Sequence, residues 1–282
     1  MIDVSEIKRI AGSLGLNPTV VEHDYVLGCY LHFLGDHKRT NEQWVFKGGT
    51  ALRKCYFENY RFSEDLDFTL TQSISIDEVK KYIAEINDRV KDKIGIFTDL
   101  RDMSAEVIED EYGKESYEIK IYYSGPWNYG GSPRSLQIHL NRDEEIIFPP
   151  NRTSIMHDYS DRDELPETLM TVYSLEEVLS EKLRAVSGQR RYAISRDIYD
   201  INFIIGQKVD IGKSINALPK KCEIKGIDIK SVRIENFIKR KGEYKTNWDR
   251  NLMYLIPSST MVEFEDAWNS TVNILKEALM SP

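Results

Sequence analysis

Only three cysteines occur in this 282-residue chain: Cys29, Cys55 and Cys222. They are odd in number, far apart and outside metal-ligand spacing, which argues against a disulfide framework or a thiolate zinc site and for a reducing compartment. No apolar run approaches the roughly 18 residues that a membrane-spanning helix needs. The opening MIDVSEIKRI lacks the basic-then-apolar layout of a signal peptide. These absences lead us to expect a cytoplasmic protein without a membrane partner. Internal repeats and low-complexity tracts are missing too. The five histidines, His23, His32, His37, His139 and His157, show no metal spacing.

What remains is an ordinary globular composition, 41% hydrophobic and 30% charged, long enough for one large domain or two modest ones. The net charge of −8 argues against a generally adhesive nucleic-acid binder, but it is unevenly spread. Residues 182–250 hold 17 Lys and Arg against 8 Asp and Glu, a surplus of nine, so the remainder carries −17. Such asymmetry fits one part meeting a polyanion while another holds cations; it also fits solvated helix faces of differing composition.

Asn17-Pro18 reads as an N-cap followed by proline at the first helical position, opening a helix to about residue 34. Trp44–Phe46 reads as a short strand, with Thr50 capping a helix to about residue 58. Phe62–Leu70 is the next strand, Leu66, Phe68 and Leu70 on one face and Asp65, Asp67 and Thr69 on the other. A helix over 76–93 and strands near 105–108, 117–123 and 135–140 follow. After Pro149-Pro150 the strands are expected to stop. Ser174–Glu177 reads as a capping box opening a helix to about 187, with another over 195–205.

Acids are poor strand formers, so Asp65 and Asp67 in an apolar strand suggest that the charge itself is wanted. Carboxylates at i and i+2 share a face and repel unless a cation sits between them. Oxygen-only ligation suits Mg²⁺, or Mn²⁺ in its place, which takes one or two protein carboxylates and fills its shell with water and phosphate oxygens. Just upstream, Gly48-Gly49-Thr50 leads from strand to helix, where free N–H groups and the dipole attract phosphate. Together these parts suit an NTP. Taken singly, D-x-D is common, GGT can be a plain turn, and Asp65 can pair with Arg53 or Arg61.

The run K-G-G-T-A-L followed by R-F-S-E-D-L-D-F resembles the signature of the AbiEii-type nucleotidyltransferases, bacterial toxins of the DNA polymerase β-like nucleotidyltransferase superfamily. Glu22-His23-Asp24-Tyr25 is similar to that family's E-K-D-Y segment, with His in place of Lys. Glu181-Lys182-Leu183-Arg184-Ala185 and Arg196-Asp197-Ile198-Tyr199-Asp200 are similar to its E-K-L-x-A and R-D-x-Y-D elements. The resemblance implies a metal pair at Asp65 and Asp67, a phosphate turn at Gly48, Gly49 and Thr50, and active-site roles for Lys182 and Asp197. Arg53 and Ser63 join the nucleotide-binding candidates. Lys182 suits neutralising triphosphate charge, and Asp197 suits orienting that lysine or acting as base; the pair can also be a plain interhelical ion pair. Asp200, one turn on, is expected to brace. A third carboxylate, frequent in the superfamily, is missing from Leu136–Leu140, which offers Gln137 and His139; Asp143 and Glu144 are the nearby alternatives. Tyr122, Tyr123, Trp127 and Tyr129 bracket a loop at 125–133 and can stack a base or pack at an edge.

The implied fold is α/β (α+β): a polymerase β-like mixed sheet with helices over 41–150, preceded by a helical segment over 1–40 and followed by a helical domain over 151–282. The active site is expected in a cleft between the strand half and the helical half. The implied function is transfer of a nucleoside monophosphate from an NTP to an acceptor hydroxyl, by a toxin silenced by a cognate antitoxin. Acceptors at tRNA 3′ ends are implied by the resemblance, with the basic 182–250 segment as their contact. A small-molecule or protein nucleotidylyltransferase, and a non-catalytic nucleotide- or partner-binding protein, are the alternatives.

Overall fold

Asp3 and Asn17 cap the first two helices: their side chains accept the N–H of Ser5 and Thr19 at 2.7 and 2.9 Å. These are α1 (Val4–Leu14) and α2 (Pro18–Asp36). The computed structural model of the chain describes residues 1–98, 103–109, 115–127, 134–187 and 190–280. Within them it has two compact units: Met1–Glu144, Pro150–Val172 and Leu255–Thr260 in one, and Glu145–Pro149, Tyr173–Tyr254 and Met261–Pro282 in the other.

In the first unit, α2 is buried at every position from Val21 to Gly35 except His23. It is buried on all sides because it is enclosed by α1, by α5 (Ile76–Ile94) and by the sheet. After α3 (Lys38–Gln43) come β1 (Trp44–Lys47), α4 (Gly48–Ala51) running on as a π-helical turn over Leu52–Tyr56, and β2 (Asp65–Leu70). Past α5 lie β3 (Phe97–Thr98), β4 (Ser104–Glu109), β5 (Glu115–Ser124), β6 (Arg134–Asn141), β7 (Asn151–Ser154) and β8 (Leu169–Val172). They form one mixed sheet in the order β3-β5-β6-β2-β1-β8-β7, with β4 also on β5. Pairs β2–β6 and β1–β8 are parallel, the others antiparallel.

Two corrections follow. Strands do not end near residue 150: β7 and β8 extend the sheet, β8 by pairing with β1. A proline pair breaks a strand locally but does not stop the chain from returning to an open sheet edge. The strand after the glycine turn starts at Asp65, not Phe62, since the Phe62 N–H is spent on the Leu255 carbonyl at 2.7 Å.

Strand alternation then divides the sheet's faces. Leu66, Phe68, Leu70, Ile119, Ile121, Leu136, Ile138 and Leu140 are buried on the core face, each worth about 1.5–3 kcal/mol of transfer free energy. Asp65, Asp67, Glu118, Lys120, Gln137 and His139 occupy the other face.

The second unit is helical: α6 (Leu175–Val186), α7 (Ser195–Ile205), α8 (Ile211–Ile224), α9 (Ile234–Lys239), α10 (Lys241–Asn251) and α11 (Phe264–Met280). Its core includes Phe237 stacked on Trp268 (centroids 4.5 Å, 14°) and the buried Trp248 and Tyr199. The Ser174–Glu177 pair closes only half a capping box. Ser174 Oγ accepts the Glu177 N–H at 3.2 Å, while the Glu177 carboxylate turns to the N–H groups of Ile147 and Phe148 and to the buried Lys221.

Candidate active site

The glycine turn and the acid pair meet directly. Gly48 has φ +79°, the left-handed region where a side chain is strained. A Cβ there would sit well under 3.0 Å from Asp67 Oδ2. Only glycine lets the carboxylate lie against the turn. A Cβ on Gly49 would meet Arg61 Nη2 at 2.5 Å and Ser63 Oγ at 3.0 Å, so this glycine admits the buried Arg61 guanidinium. Thr50 is not the helix cap expected from sequence. α4 starts at Gly48 with Lys47 as N-cap, and Thr50 Oγ1 donates to the Asp65 carbonyl at 2.5 Å. That bond ties the turn to β2 at the first acid.

Register carries the polar row across the sheet. Asp67 faces Lys47 on β1 and His139 on β6, and His139 faces Glu118 on β5. His139 Nδ1 is 3.2 Å from Asp67 Oδ1, and its Nε2 is 3.3 Å from Glu118 Oε2. The hydrogen bond to Asp67 raises the imidazole to about 9 against its burial, aided by the charges of Asp67, Asp65 and Glu118. Both nitrogens are thus protonated donors at neutral pH, in the very position where a third carboxylate was sought. Glu144 stands 4.0 Å from the Lys47 ammonium, its side chain 1% exposed. Lys47 and Glu118 were missed in the sequence; strict alternation along 117–123 was the available signal for Glu118.

Among the described residues, no group of three or more His, Cys, Asp or Glu is arranged to hold a metal ion. The pair on β2 nevertheless suits Mg²⁺ or Mn²⁺, hard cations that need only one or two protein carboxylates when phosphate and water complete the shell. The bare Gly48 lets the Asp67 carboxylate pack directly against the turn, so the acid and the turn's backbone lie side by side.

Arg53 is spent within the fold. Its Nε donates to Asp24 Oδ1 at 2.7 Å, its Nη1 to the Tyr60 carbonyl at 2.8 Å, and its guanidinium stands 3.5 Å over the Phe62 ring. Ser63 is 9% exposed and adjoins Gly49. Tyr123 is core, Trp127 is 37% exposed near the Lys8 ammonium, and Tyr129 lies outside the described residues.

In the helical unit, Lys182 on α6 meets two acids of α7. Its Nζ lies 2.6 Å from Asp197 Oδ1 and 2.8 Å from Asp200 Oδ2. Arg190 Nη1 takes the other Asp197 oxygen at 2.8 Å. Burial alone would raise Asp197, but Arg190 and Lys182 outweigh it and hold its carboxyl below the usual range. An acid so stabilised as an anion orients cations better than it abstracts protons. Asp200 braces Lys182, as expected. Arg191 and Tyr192 are exposed beside Arg190, and Arg240 pins the backbone before them by donating to the Arg190 and Arg191 carbonyls at 2.8 and 3.3 Å.

The family model described as "Nucleotidyl transferase AbiEii toxin, Type IV TA system" matches residues 32–269. The solved structure of MenT4, a nucleotidyltransferase toxin from Mycobacterium tuberculosis H37Rv, matches with a TM-score of 0.58 at 16% identity, covering 99% of this chain and 98% of that one. No curated protein matches the chain. No helix among the described residues is long and apolar enough to cross a membrane.

Proposed function

Because the chain belongs to the AbiEii nucleotidyl transferase toxin family of type IV toxin–antitoxin systems, we propose that it transfers a nucleoside monophosphate from an NTP to an acceptor hydroxyl and releases pyrophosphate. The observation that carries this reading is the contact between Asp67 and Gly48, which joins an acid pair to a glycine turn at a helix start. Asp65 and Asp67 would hold Mg²⁺ or Mn²⁺, which when bound polarises phosphate oxygens and neutralises their charge. The Gly48-Gly49-Thr50 turn offers backbone N–H groups to the phosphates, and Thr50 keeps that turn in register with Asp65.

To Lys182 we assign the charge that develops on the phosphates, with Asp197 and Asp200 fixing its ammonium. Arg53 then supports the turn from behind rather than touching nucleotide. We further propose a polynucleotide acceptor, a tRNA 3′ end being the candidate that the family resemblance suggests. Its support is the surplus of nine positive charges over 182–250 and the exposed Arg191-Tyr192 pair. A cognate antitoxin is the implied regulatory partner.

The test incubates each labelled NTP with total tRNA and Mg²⁺, using wild type, D65N and D67N. Label transfer to RNA by wild type alone supports the reading, and transfer by either variant at the wild-type rate refutes the metal pair. Arg191→Glu, which leaves the Arg190–Asp197 pair in place, should flatten the salt dependence of tRNA binding. If tRNA affinity ignores both salt and R191E, the acceptor is a smaller molecule.

A further inference from the structure

The Glu22-His23-Asp24-Tyr25 stretch has no part in the chemistry assigned above, yet its four side chains are committed to four different segments. Glu22 is fully buried, and its Oε1 accepts the Trp127 N–H at 2.7 Å. Asp24, also buried, takes Arg53 Nε on one oxygen and Lys54 Nζ and the Tyr159 hydroxyl on the other, at 2.7, 2.7 and 2.8 Å. Tyr25 donates to Asp161 Oδ2 at 2.6 Å. Charge-assisted bonds of this kind, out of water, fix the first turns of α2 in place. Arg53 and Lys54 belong to the π-helical turn that continues α4, so the same carboxylate anchors the helix leaving the glycine turn.

His23 is the position of α2 between Val21 and Gly35 that is not fully buried, and it reaches toward the acid pair. Its Nε2 lies 2.7 Å from the carbonyl oxygen of Glu64, the residue before Asp65. A carbonyl only accepts, so Nε2 carries the proton. Burial lowers the pKa of the ring, which leaves Nδ1 to accept from the Tyr123 hydroxyl at 2.9 Å. The two rings lie at 29°, with centroids 6.1 Å apart, so the imidazole plane is set as well. On the far side of the Asp65 Cα, the carbonyl of the next peptide, that of Asp65 itself, takes the Thr50 hydroxyl. Asp65 is thus gripped on both sides through its backbone, by α2 before it and by the glycine-turn helix after it.

We propose that His23 is a positioning residue for the acid pair: from a helix anchored by Asp24 and Tyr25, it holds the carbonyl next to Asp65 and so sets the direction of the Asp65 carboxylate. This rests on Asp65 and Asp67 being the metal pair. Losing the bond releases the start of β2, whose preceding residues are in no strand, and a carboxylate displaced by about 1 Å loses much of its value to a cation.

The test is Mn²⁺ titration of the full chain without nucleotide, followed by electron paramagnetic resonance, with thermal melting of each variant as a control. Asp65→Asn should abolish tight binding. His23→Phe keeps the ring on Tyr123 but donates nothing; it should weaken Mn²⁺ about ten-fold or more while the protein stays folded at 25 °C. His23→Ala takes its place if H23F does not fold, with the same loss expected. His23→Lys, whose ammonium can donate to the Glu64 carbonyl, should return affinity to within about three-fold of wild type. If D65N loses the metal but H23F binds it as wild type does, the metal pair stands and the positioning role falls. Equal losses in H23F and H23K would also overturn the role, because the carbonyl bond would then not be what matters. If wild type binds Mn²⁺ no better than D65N, the metal reading fails and this proposal fails with it.

Discussion

Gly48 and Gly95 give a matched pair of perturbations. Both have positive φ, +79° and +80°, so alanine at either position carries a similar backbone strain, about 1–2 kcal/mol. Their surroundings differ. A Cβ at Gly95, the C-cap of α5, meets nothing within 4 Å, whereas one at Gly48 collides with Asp67 Oδ2. To reach ordinary contact the Asp67 carboxylate must retreat by about 1 Å, a displacement that costs on the order of a hundred-fold in function. We therefore expect G95A to lower stability by about 1 kcal/mol and leave Mn²⁺ affinity and turnover unchanged. G48A should lower stability by about 2–3 kcal/mol and nearly abolish both. Urea denaturation and Mn²⁺ titration of the two variants side by side separate the terms. Equal metal affinity in G48A and G95A would refute the claim that the turn and the acid pair act as one unit.

Three further outcomes follow from the same geometry. His139 has a folded value of about 9 against 6.5 free, so its contribution is full below pH 6.5 and is lost as pH rises through 9. With its carboxylate partners about one-third exposed, chelated protein should lose about 1–2 kcal/mol across that window, and His139→Gln should flatten the slope in pH-dependent melts. Glu177→Gln removes a carboxylate that pairs with the fully buried Lys221. It should cost about 3–5 kcal/mol by denaturation, and a loss under 1 kcal/mol would show that the pair is not dry. Lys182→Ala should remove turnover while leaving Mn²⁺ binding at Asp65 and Asp67 intact, and Asp197→Asn should in addition destabilise the helical unit by weakening the bridge from Asp197 to Lys182 and Arg190. Kinetics and melts on both variants decide whether Asp197 orients or abstracts.

The motifs could be read from the chain because each depends on local rules. Asn17-Pro18 specifies a helix start whatever surrounds it, and alternation in 65–70 separates the acids from Leu66, Phe68 and Leu70 on any strand. The family resemblance rests on such short runs, and it holds over residues 32–269. What could not be read is every pairing that spans a long stretch of chain. Nothing near Thr50 says that its hydroxyl is worth more to the Asp65 carbonyl than to its own helix. Nothing near His139 says that parallel register will seat it between Asp67 and Glu118. Nor does a proline pair at 149–150 reveal that β8 will find the free edge of β1. Hydrogen-bonding groups take whichever partner the assembled sheet brings within bonding reach, and that choice is made only when distant strands are already in register. The identity of the candidate side chains could therefore be read from the sequence, while their aim was decided by the tertiary structure.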